Sequence, residues 1–343
     1  MIRRRTVLLA PVAALAVGLA GCGSDSLEAT GDLDDSKLTI YSAQHKNLTE
    51  AWGTAFQDET GIEVQVRYGN DSSMGSQIVE EGASSPADVF LTENSPAMTT
   101  VQNAGLLAEV DPATLERVED RFVPSSKEWT GIAARSTVLV YNPSMVSEDE
   151  LPASIMDLAD EQYAGRWSAA AGGADFQAIV SAMLQIEGEQ ATEEWLQALK
   201  SDAKVYQNNI ATMKAVNEGQ SAMGIIYHYY WYRDQALQKA SSGNTALHYF
   251  RNQDPGAFVS VSGGGVLKSS DQQDEAQQFL AFVTSPAGQE ILRTEDVKEY
   301  AVGVGDESDP ALPTVDSLEP PDVDPFTLDQ QKVIDLMTQA GLL

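Results

Sequence analysis

Residues 37–68 read KLTIYSAQHKNLTEAWGTAFQDETGIEVQVRY, and this stretch predicts the fold. The first run, KLTIYSA, is short and β-rich, and IEVQVRY alternates as a strand does. Between them Trp52 and Phe56 lie at helical spacing, and Gly61 is a typical helix stop. Strand, helix and strand in this order indicate a parallel sheet with helices on its faces. Ligands of such sheets bind beyond the carboxyl ends of strands, here in the loop 42–47.

The same alternation of strands and helices continues along the chain. Further strands are predicted at 87–92, 136–141 and 222–227, and as a pair at 259–261 and 265–267 around the break Ser262-Gly263-Gly264. Further helices are predicted at 72–81, 95–104, 176–186, 192–199, 276–284 and 328–340. The segment 303–325 is rich in proline and acidic residues and is interpreted as an extended strap. We therefore predict an α/β protein with further binding loops at 92–95 and 171–176.

The N-terminal residues indicate an export signal rather than part of the fold. Three arginines precede an apolar run from Val7 to Leu19, which is shorter than the roughly 20 residues of a membrane-spanning helix. The sequence Leu-Ala-Gly-Cys that ends at Cys22 resembles the bacterial lipobox, which implies a signal peptide over 1–21 and lipidation of Cys22. The small and acidic residues of 22–36 predict a flexible tether. An ordinary signal with a chance cysteine is the alternative.

The chain is strongly acidic. Its 343 residues, enough for one large or two ordinary domains, include 51 acidic and 21 basic residues, for a formal charge of −30. Signal cleavage removes three arginines and no acid, which leaves 18 basic residues against 51 acidic ones and a charge of −33. Nucleic acids and anionic membranes both recruit basic surfaces, so we expect neither as a directly bound partner. The acidity is compatible with a cation ligand, but charge alone favours solubility or salt adaptation as its explanation.

Motifs of the common enzyme classes are missing from the sequence. There is no Walker A motif, no G-x-G-x-x-G between strand and helix, no G-x-S-x-G elbow and no H-E-x-x-H. The three histidines, His45, His228 and His248, carry no local signature of a hydrolytic triad. Cys22 is the only cysteine, which excludes an intrachain disulfide and a thiolate metal site. We predict that the protein is not an enzyme.

Residues 227–233 read YHYYWYR and hold four of the 11 tyrosines. Aromatic residues favour strands, so one interpretation is a strand end that packs aromatics on both faces. Strand alternation then turns His228 away from its neighbours and into packing. The functional interpretation is a tyrosine site for a carbohydrate or a hard cation. Because a phenol has a pKa of about 10, a trivalent ion stabilises two phenolates at neutral pH better than a divalent ion does.

Several motifs are similar to those of the ferric-iron-binding proteins of ABC transporters. They are SAQHK at 42–46, SPADVFLTEN at 85–94 and YHYYWYR, supported by ARSTVLVYN at 134–142, FQAIV at 176–180 and DPGA at 254–257. The resemblance extends from about residue 37 to Leu343. It implies the type II periplasmic-binding-protein fold, in which two α/β lobes joined by a hinge of crossover strands close on the ligand. One lobe is then expected at 37–135 plus 259–309, and the other at 136–258 plus 310–343.

The iron ligands of that family match His45, Glu93, Tyr229 and Tyr230. Two phenolates and one carboxylate would offset the three charges of Fe³⁺, and a neutral histidine would add one nitrogen. Oxygen donors suit such a hard ion. Taken singly, each residue has an ordinary alternative as a loop cap, a helix-start charge or a packing residue. Their joint match favours the metal site.

Many members of the family also hold a synergistic anion, and the residues of that site match only in part. The match covers Asn209 and the turn at Gly173 and Ala174, whose position before a helix suits phosphate or carbonate. Gly173 replaces a serine of the family, and Tyr227 replaces a second asparagine. Asp175 adds a negative charge that would repel the anion. It is interpreted either as the helix N-cap or, like Tyr227, as an iron ligand in place of the anion.

The resemblance therefore implies an extracytoplasmic Fe³⁺-binding protein, anchored through lipid at Cys22 to the outer face of the cell membrane or held in the periplasm. We expect a monomer that delivers iron to an ABC permease whose ATPase is a separate chain. Two alternatives stay open. One is a binding protein for another solute, such as an oxyanion, a polyamine or a sugar. The other is a surface lipoprotein without a transport role.

Overall fold

The structure is a computed structural model that describes residues 27–29, 31–294 and 296–343. The predicted signal peptide and Cys22 lie outside the described residues. Within the described part of the chain, no helix is both long enough and apolar enough to cross a membrane.

Nine strands and ten α-helices form within the described residues. The strands are β1 (Leu38–Ser42), β2 (Val64–Tyr68), β3 (Val89–Leu91), β4 (Thr130–Tyr141), β5 (Ser168–Ala169), β6 (Lys204–Val205), β7 (Met223–Tyr227), β8 (Ala246–His248) and β9 (Val259–Val266). The helices are α1 (Lys46–Thr60), α2 (Asp71–Glu81), α3 (Ser95–Asn103), α4 (Pro112–Leu115), α5 (Ala174–Asp202), α6 (Asn209–Asn217), α7 (His228–Leu237), α8 (Gln273–Val283), α9 (Pro286–Glu290) and α10 (Gln330–Gln339).

Seven strands form one mixed sheet in the order β2-β1-β3-β9-β4-β7, and β8 also pairs with β4. β1 is parallel to β2 and to β3, as the opening strand-helix-strand pattern predicts. β9 is antiparallel to β3, and β4 is antiparallel to β7, β8 and β9. Because β1 and β3 are parallel, the loops after them, which carry His45 and Glu93, lie at the same edge of the sheet.

The long strand β4 runs from one packed body into another. Its residues up to Ser136 pair with β9, and those from Thr137 onward pair with β7. One body, which we call the N-lobe, packs α1 and α8 against β1, β2 and β3 around the buried Trp52. The other, the C-lobe, packs α5 and α10 near β7, where the rings of Trp167 and Trp195 lie 5.3 Å apart. The site described below lies where these two lobes meet.

Helix α1 illustrates how the sequence positions the loop beside it. Leu48, Trp52 and Phe56 are fully buried at four-residue spacing, so one face of the helix packs on the sheet. Gly61 ends the helix with φ of 75°, a left-handed conformation that glycine adopts without strain. The helix begins directly after His45, which is thereby held at the sheet edge.

The predicted strand end in the aromatic block is wrong. β7 stops at Tyr227, and the residues from His228 onward form helix α7. The tertiary position at a sheet edge overrides the β propensity of tyrosine and tryptophan. The predicted helices at 176–186 and 192–199 both lie within α5, which is interrupted at Gly188 with φ of 81°.

The predicted strand pair around Ser262-Gly263-Gly264 is also wrong, because β9 is one continuous strand there. The two glycines are needed for packing rather than for a turn. A Cβ added at Gly263 would lie 2.9 Å from the ring of Trp129, and one at Gly264 would lie 2.9 Å from Leu280. Neighbouring side chains fill the space that two larger residues would occupy.

One segment was predicted to be an extended strap and another to be a flexible tether. The segment 303–325 contains one short 3-10 turn, Val315–Leu318, and is otherwise irregular, as the predicted strap requires. Residues 27–29, by contrast, belong to the predicted flexible tether but pair with β2 at Val66, and Leu27 is buried. This part of the tether is docked on the N-lobe.

Candidate metal centre

Six helices begin around one place between the two lobes. The polar side chains at their starts are His45 before α1, Asp71 on α2, Asn94 before α3, Asp175 on α5, Asn209 on α6 and Tyr229 on α7. A helix start presents unpaired backbone N–H groups and the positive end of the helix dipole. Together these ends favour negative charge on the side chains that they surround.

Three of the predicted ligands meet across the interface between the lobes. Nε2 of His45 lies 2.6 Å from the hydroxyl oxygen of Tyr229 and 3.0 Å from Oε1 of Glu93. The Tyr229 hydroxyl donates to the same Glu93 oxygen at 3.1 Å. His45 and Glu93 come from the N-lobe and Tyr229 from the C-lobe. One nitrogen and two oxygens therefore converge on a single point from both lobes.

Tyr230 lies beside these three residues. Its ring centroid is 4.1 Å from that of Tyr229, and its hydroxyl donates to Oδ2 of Asp175 at 3.4 Å. Tyr229 is fully buried, whereas Tyr230 keeps partial exposure. The structure thus brings all four predicted metal ligands to one site, with Asp175 next to them.

Asp175 is not the N-cap of α5. The helix begins at Ala174 with Gly173 as its cap, so Asp175 already belongs to the first turn and its carboxylate is directed into the site. Asn209 donates to Oδ2 at 2.5 Å, and Asn94 donates to Oδ1 at 3.1 Å. The apolar pattern begins at Phe176 and suggests that the helix starts there. The helix starts two residues earlier, so the N-cap interpretation is wrong.

The remaining residues of the predicted anion site occupy its wall. Tyr227 is fully buried, and its hydroxyl lies 3.3 Å from both Oδ1 of Asn94 and the backbone oxygen of Asp175. The N–H of Gly173 donates to the carbonyl of Ala170 at 2.9 Å and is therefore already used within the turn. The side-chain amide of Asn209 donates to Asp175, so the donor that an anion at this position would require is already in use.

The electrostatics of the site reveal a shortage of positive charge. Burial, followed by the charge of Glu93, raises the pKa of Asp175 to about 8. Burial and neighbouring anionic groups also raise the pKa values of the Tyr229 and Tyr230 phenols well above their usual range. For Glu93 burial acts in the same direction, but the adjacent His45 and Arg135 outweigh it and lower its pKa to about 2. A bound cation would supply the missing charge and allow these acids to ionise.

Arg135 holds the backbone of the candidate ligand Glu93 and was not among the predicted site residues. It is fully buried on β4 and donates to the backbone oxygen of Glu93 at 2.6 Å. It also forms an ion pair of 2.6 Å with the buried carboxylate of Glu299 and donates to the hydroxyl of Ser262. Its guanidinium lies 5.6 Å from the ring centre of Tyr229. A single charge inside the run AARSTVLVY was the available signal, since a buried arginine requires partners.

Asp71 is the second residue that sequence reasoning missed. It is buried at the start of α2, and its two carboxylate oxygens each accept a backbone N–H at 2.9 Å, from Glu93 and from Asn94. Burial, followed by the charge of Glu93, raises the pKa of Asp71 to about 7. These bonds fix the loop between β3 and α3 and thereby the position of the Glu93 side chain.

The other two histidines lie outside the cluster of candidate ligands. His228 packs as predicted, although helix geometry and not strand alternation turns it away from the site. Its Nδ1 accepts the N–H of Ser136 at 3.1 Å, and its ring stacks on Tyr300 at 4.6 Å. Burial lowers the pKa of His228 to about 3, so the ring is neutral. His248 on β8 packs edge-on against Phe250 at 5.1 Å.

Within residues 27–29, 31–294 and 296–343, no three His, Cys, Asp or Glu side chains cluster as a metal site. Among the predicted ligands only His45 and Glu93 are of these residue types, and the other two are tyrosines. Phenolate and carboxylate oxygens are the donors that a hard, highly charged ion prefers.

Comparison with known proteins places this site in context. The profile of the bacterial extracellular solute-binding proteins matches residues 42–290. A Fe(3+)-binding periplasmic protein of Serratia marcescens is 52% identical over 336 residues, which are 98% of this chain and 98% of that protein. The major ferric iron-binding protein of Neisseria meningitidis serogroup B is 34% identical over 308 residues, or 89% of this chain and 93% of that one. Iron-bound HitA from Pseudomonas aeruginosa superimposes with a TM-score of 0.84 at 43% identity, over 89% of this chain and 99% of HitA.

Proposed function

The chain belongs to the family of bacterial extracellular solute-binding proteins, and we propose that it captures ferric iron outside the cytoplasm and delivers it to an ABC permease. The observation that carries this proposal is the convergence of His45, Glu93 and Tyr229 from both lobes, with distances of 2.6 to 3.1 Å between their polar atoms. The similarity to ferric-binding proteins over nearly the whole chain supports the same ion.

The fold suits capture by closure. It is the two-lobe type II fold of the periplasmic ferric-binding proteins that this structure resembles. We place the lobes at 37–135 plus 259–309 and at 136–258 plus 310–343. The exchange of partners in β4 between Ser136 and Thr137, one residue beyond the proposed boundary, supports a division in this part of the strand. Rotation about the crossover strands β4 and β9 would separate His45 and Glu93 from the tyrosines and open the site.

We assign His45, Glu93, Tyr229 and Tyr230 as the iron ligands. When iron enters, the hydroxyl protons of both tyrosines leave, and two phenolates with one carboxylate balance the charge of Fe³⁺. His45 contributes a neutral nitrogen through Nε2, the atom that faces Tyr229 and Glu93. Arg135 keeps the Glu93 backbone in place, and its charge is compensated by Glu299.

Asp175 is our candidate for a further ligand in place of a synergistic anion. Two asparagines hold its carboxylate, and Oδ2 lies 3.4 Å from the Tyr230 hydroxyl. The competing arrangement has phosphate or carbonate at Gly173, Ala174 and Asn209, with Asp175 turned away. Iron affinity that is independent of phosphate in the wild type, but needs phosphate in Asp175→Asn, supports the carboxylate. Phosphate dependence in the wild type contradicts it. Tyr227 is a weaker candidate because its hydroxyl is bonded to Asn94 and to the Asp175 backbone.

The anchoring and the partners complete the proposal. We propose that the signal peptide 1–21 is removed, that Cys22 carries lipid and that the protein works as a monomer. The permease and its ATPase are separate chains. Acid should favour iron release, because protons compete for phenolate and carboxylate oxygens. Reduction should also favour it, because Fe²⁺ stabilises fewer phenolates.

Adding ferric citrate to the metal-free protein tests the proposed function. A tyrosinate-to-iron charge-transfer colour should appear with one equivalent of iron. The melting temperature should rise, since a ligand at about 100 times its Kd adds about 2.7 kcal/mol to the free energy of unfolding. Oxyanions, polyamines and sugars serve as the matched solutes. Colourless protein with a melting temperature raised by one of these would assign a different solute, and no response to any of them would contradict a transport role.

A further inference from the structure

The hydroxyl of Ser262 on β9 has three hydrogen-bond partners beside the candidate metal centre. It accepts from Nε2 of Gln44 at 2.9 Å and from Nη2 of Arg135, and it donates to the backbone carbonyl of Glu93 at 3.1 Å. A hydroxyl has one proton to donate and two lone pairs that accept. All three are in use, and Ser262 is fully buried. Its partners therefore fix the orientation of this hydroxyl.

Gln44 connects the Ser262 hydroxyl to His45. While its side-chain amide donates to Ser262, its Oε1 accepts the backbone N–H of His45 at 2.8 Å. The backbone N–H of Gln44 donates to the hydroxyl of Ser42, the last residue of β1, at 3.2 Å. Gln44 is 3% exposed, so protein groups rather than solvent hold the loop between β1 and His45.

The backbone of Glu93 is bonded to the same hydroxyl. Its carbonyl oxygen accepts from Ser262 and from Nη1 of Arg135, which together use both lone pairs of that oxygen. The paired register of β1 and β3 ends at Ser42 and Leu91, so the pairing between these two strands does not reach either candidate ligand. Beyond that point the loops after β1 and β3 share one side-chain oxygen on β9.

We propose that Ser262 is a positioning residue that sets the spacing of His45 and Glu93 for one metal ion. Nε2 of His45 and Oε1 of Glu93 lie 3.0 Å apart. Two donors that each lie about 2.1 Å from one ion, at right angles, are separated by about 3.0 Å, so this spacing suits neighbouring positions of an octahedron. Ser262 pairs with Ala133 in the N-lobe part of β4, so it keeps this spacing when the lobes separate. This role depends on the proposed iron-binding function.

The test compares Ser262→Ala with the matched control Ser168→Ala. Ser168 is also fully buried on a strand, but its hydroxyl donates to the carbonyl of Met223 at 3.0 Å, at the end of β7 opposite to the tyrosines. Gln44→Met removes the link to His45 without a change in β9. Iron affinity is measured by competition with citrate, with the visible band of the iron complex as the signal. Amide exchange at His45 in the metal-free protein measures the link without iron.

Ser262→Ala and Gln44→Met should each weaken iron binding about tenfold or more, the smaller end of the effect usually seen when a group that orients a metal ligand is removed. Both should speed amide exchange at His45 and shift the visible band. The double variant should bind iron about as weakly as Ser262→Ala alone, because Gln44 acts through Ser262. Ser168→Ala should leave iron affinity, band and exchange at the wild-type values.

A purely structural role predicts a different result. Ser262→Ala and Ser168→Ala would then both lower the free energy of unfolding of the metal-free protein and leave iron affinity and the band unchanged. Wild-type iron affinity in either Ser262→Ala or Gln44→Met overturns the positioning role, and Gln44→Met decides the question if Ser262→Ala does not fold. A wild type that forms no coloured iron complex refutes the proposed function, and this role with it.

Discussion

Replacing Arg135 by methionine should destabilise the metal-free protein by about 3–5 kcal/mol, the usual cost of breaking a buried ion pair from one side. Arg135 is 0% exposed and Glu299 is 1% exposed, so water cannot replace either partner. Methionine retains much of the volume but donates no hydrogen bond. The Glu299 carboxylate then stays buried but loses the guanidinium that lay 2.6 Å from it. The Glu93 carbonyl loses its hydrogen-bond donor, which was also at 2.6 Å.

Glu299→Gln is the matched change from the other side of the pair. It should cost only about 1–2 kcal/mol, because a neutral amide still accepts a hydrogen bond and Arg135 keeps the Glu93 carboxylate at 3.6 Å. The double variant should recover about 1–3 kcal/mol relative to the sum of the single changes. Urea unfolding of the wild type and the three variants measures the cycle. A loss below about 1 kcal/mol in Arg135→Met, or strictly additive losses, would refute the reasoning.

Further predictions concern the acidic groups and the packing of β9. Because the pKa of Asp175 rises from 3.8 to about 8 on folding, its stabilising contribution is complete below pH 3.8 and is lost as pH rises towards 8. Asp175→Asn should therefore flatten the fall in the free energy of unfolding over that range in the metal-free protein, and an unchanged slope would count against the buried carboxyl. Gly263→Ala should cost about 1–3 kcal/mol through overlap with Trp129. Gly172→Ala, with no atom within 4 Å of the added carbon, is its control, and equal losses would contradict the packing argument. The colour of the iron complex should fade as pH falls, because protons displace iron from its oxygen ligands. Colour that persists after Glu93 is protonated would contradict that account.

Local patterns predict the parts of this fold that depend on neighbouring residues. The apolar spacing of Leu48, Trp52 and Phe56 predicts α1, and Gly61 predicts its end. Because a β-α unit puts its loop at the carboxyl end of the strand, the position of His45 follows from the same pattern. The motif match then predicts which residues share the site, and the structure brings them together.

Contacts between distant parts of the chain explain what the sequence did not reveal. Tyr229 and Tyr230 favour strands by themselves, yet they start a helix because the chain has reached the sheet edge. Arg135 finds Glu299 at a separation of 164 residues, and Asp71 binds the Glu93 loop across 22 residues. The hydrophobic periodicity of the sequence does not indicate such pairs. The docked position of Leu27 likewise depends on a gap left by Gly53 in another element.

Titration of the metal-free protein with ferric citrate, followed by its visible colour, tests the central claim most directly when it is repeated on single tyrosine variants. Tyr229→Phe and Tyr230→Phe should each weaken iron binding and shift or abolish the charge-transfer band, because each removes one phenolate. Tyr232→Phe is the matched control on the same helix, since that hydroxyl lies 3.3 Å from Tyr249 and outside the site. Unchanged colour and affinity in both Tyr229→Phe and Tyr230→Phe would contradict the assignment of the iron site.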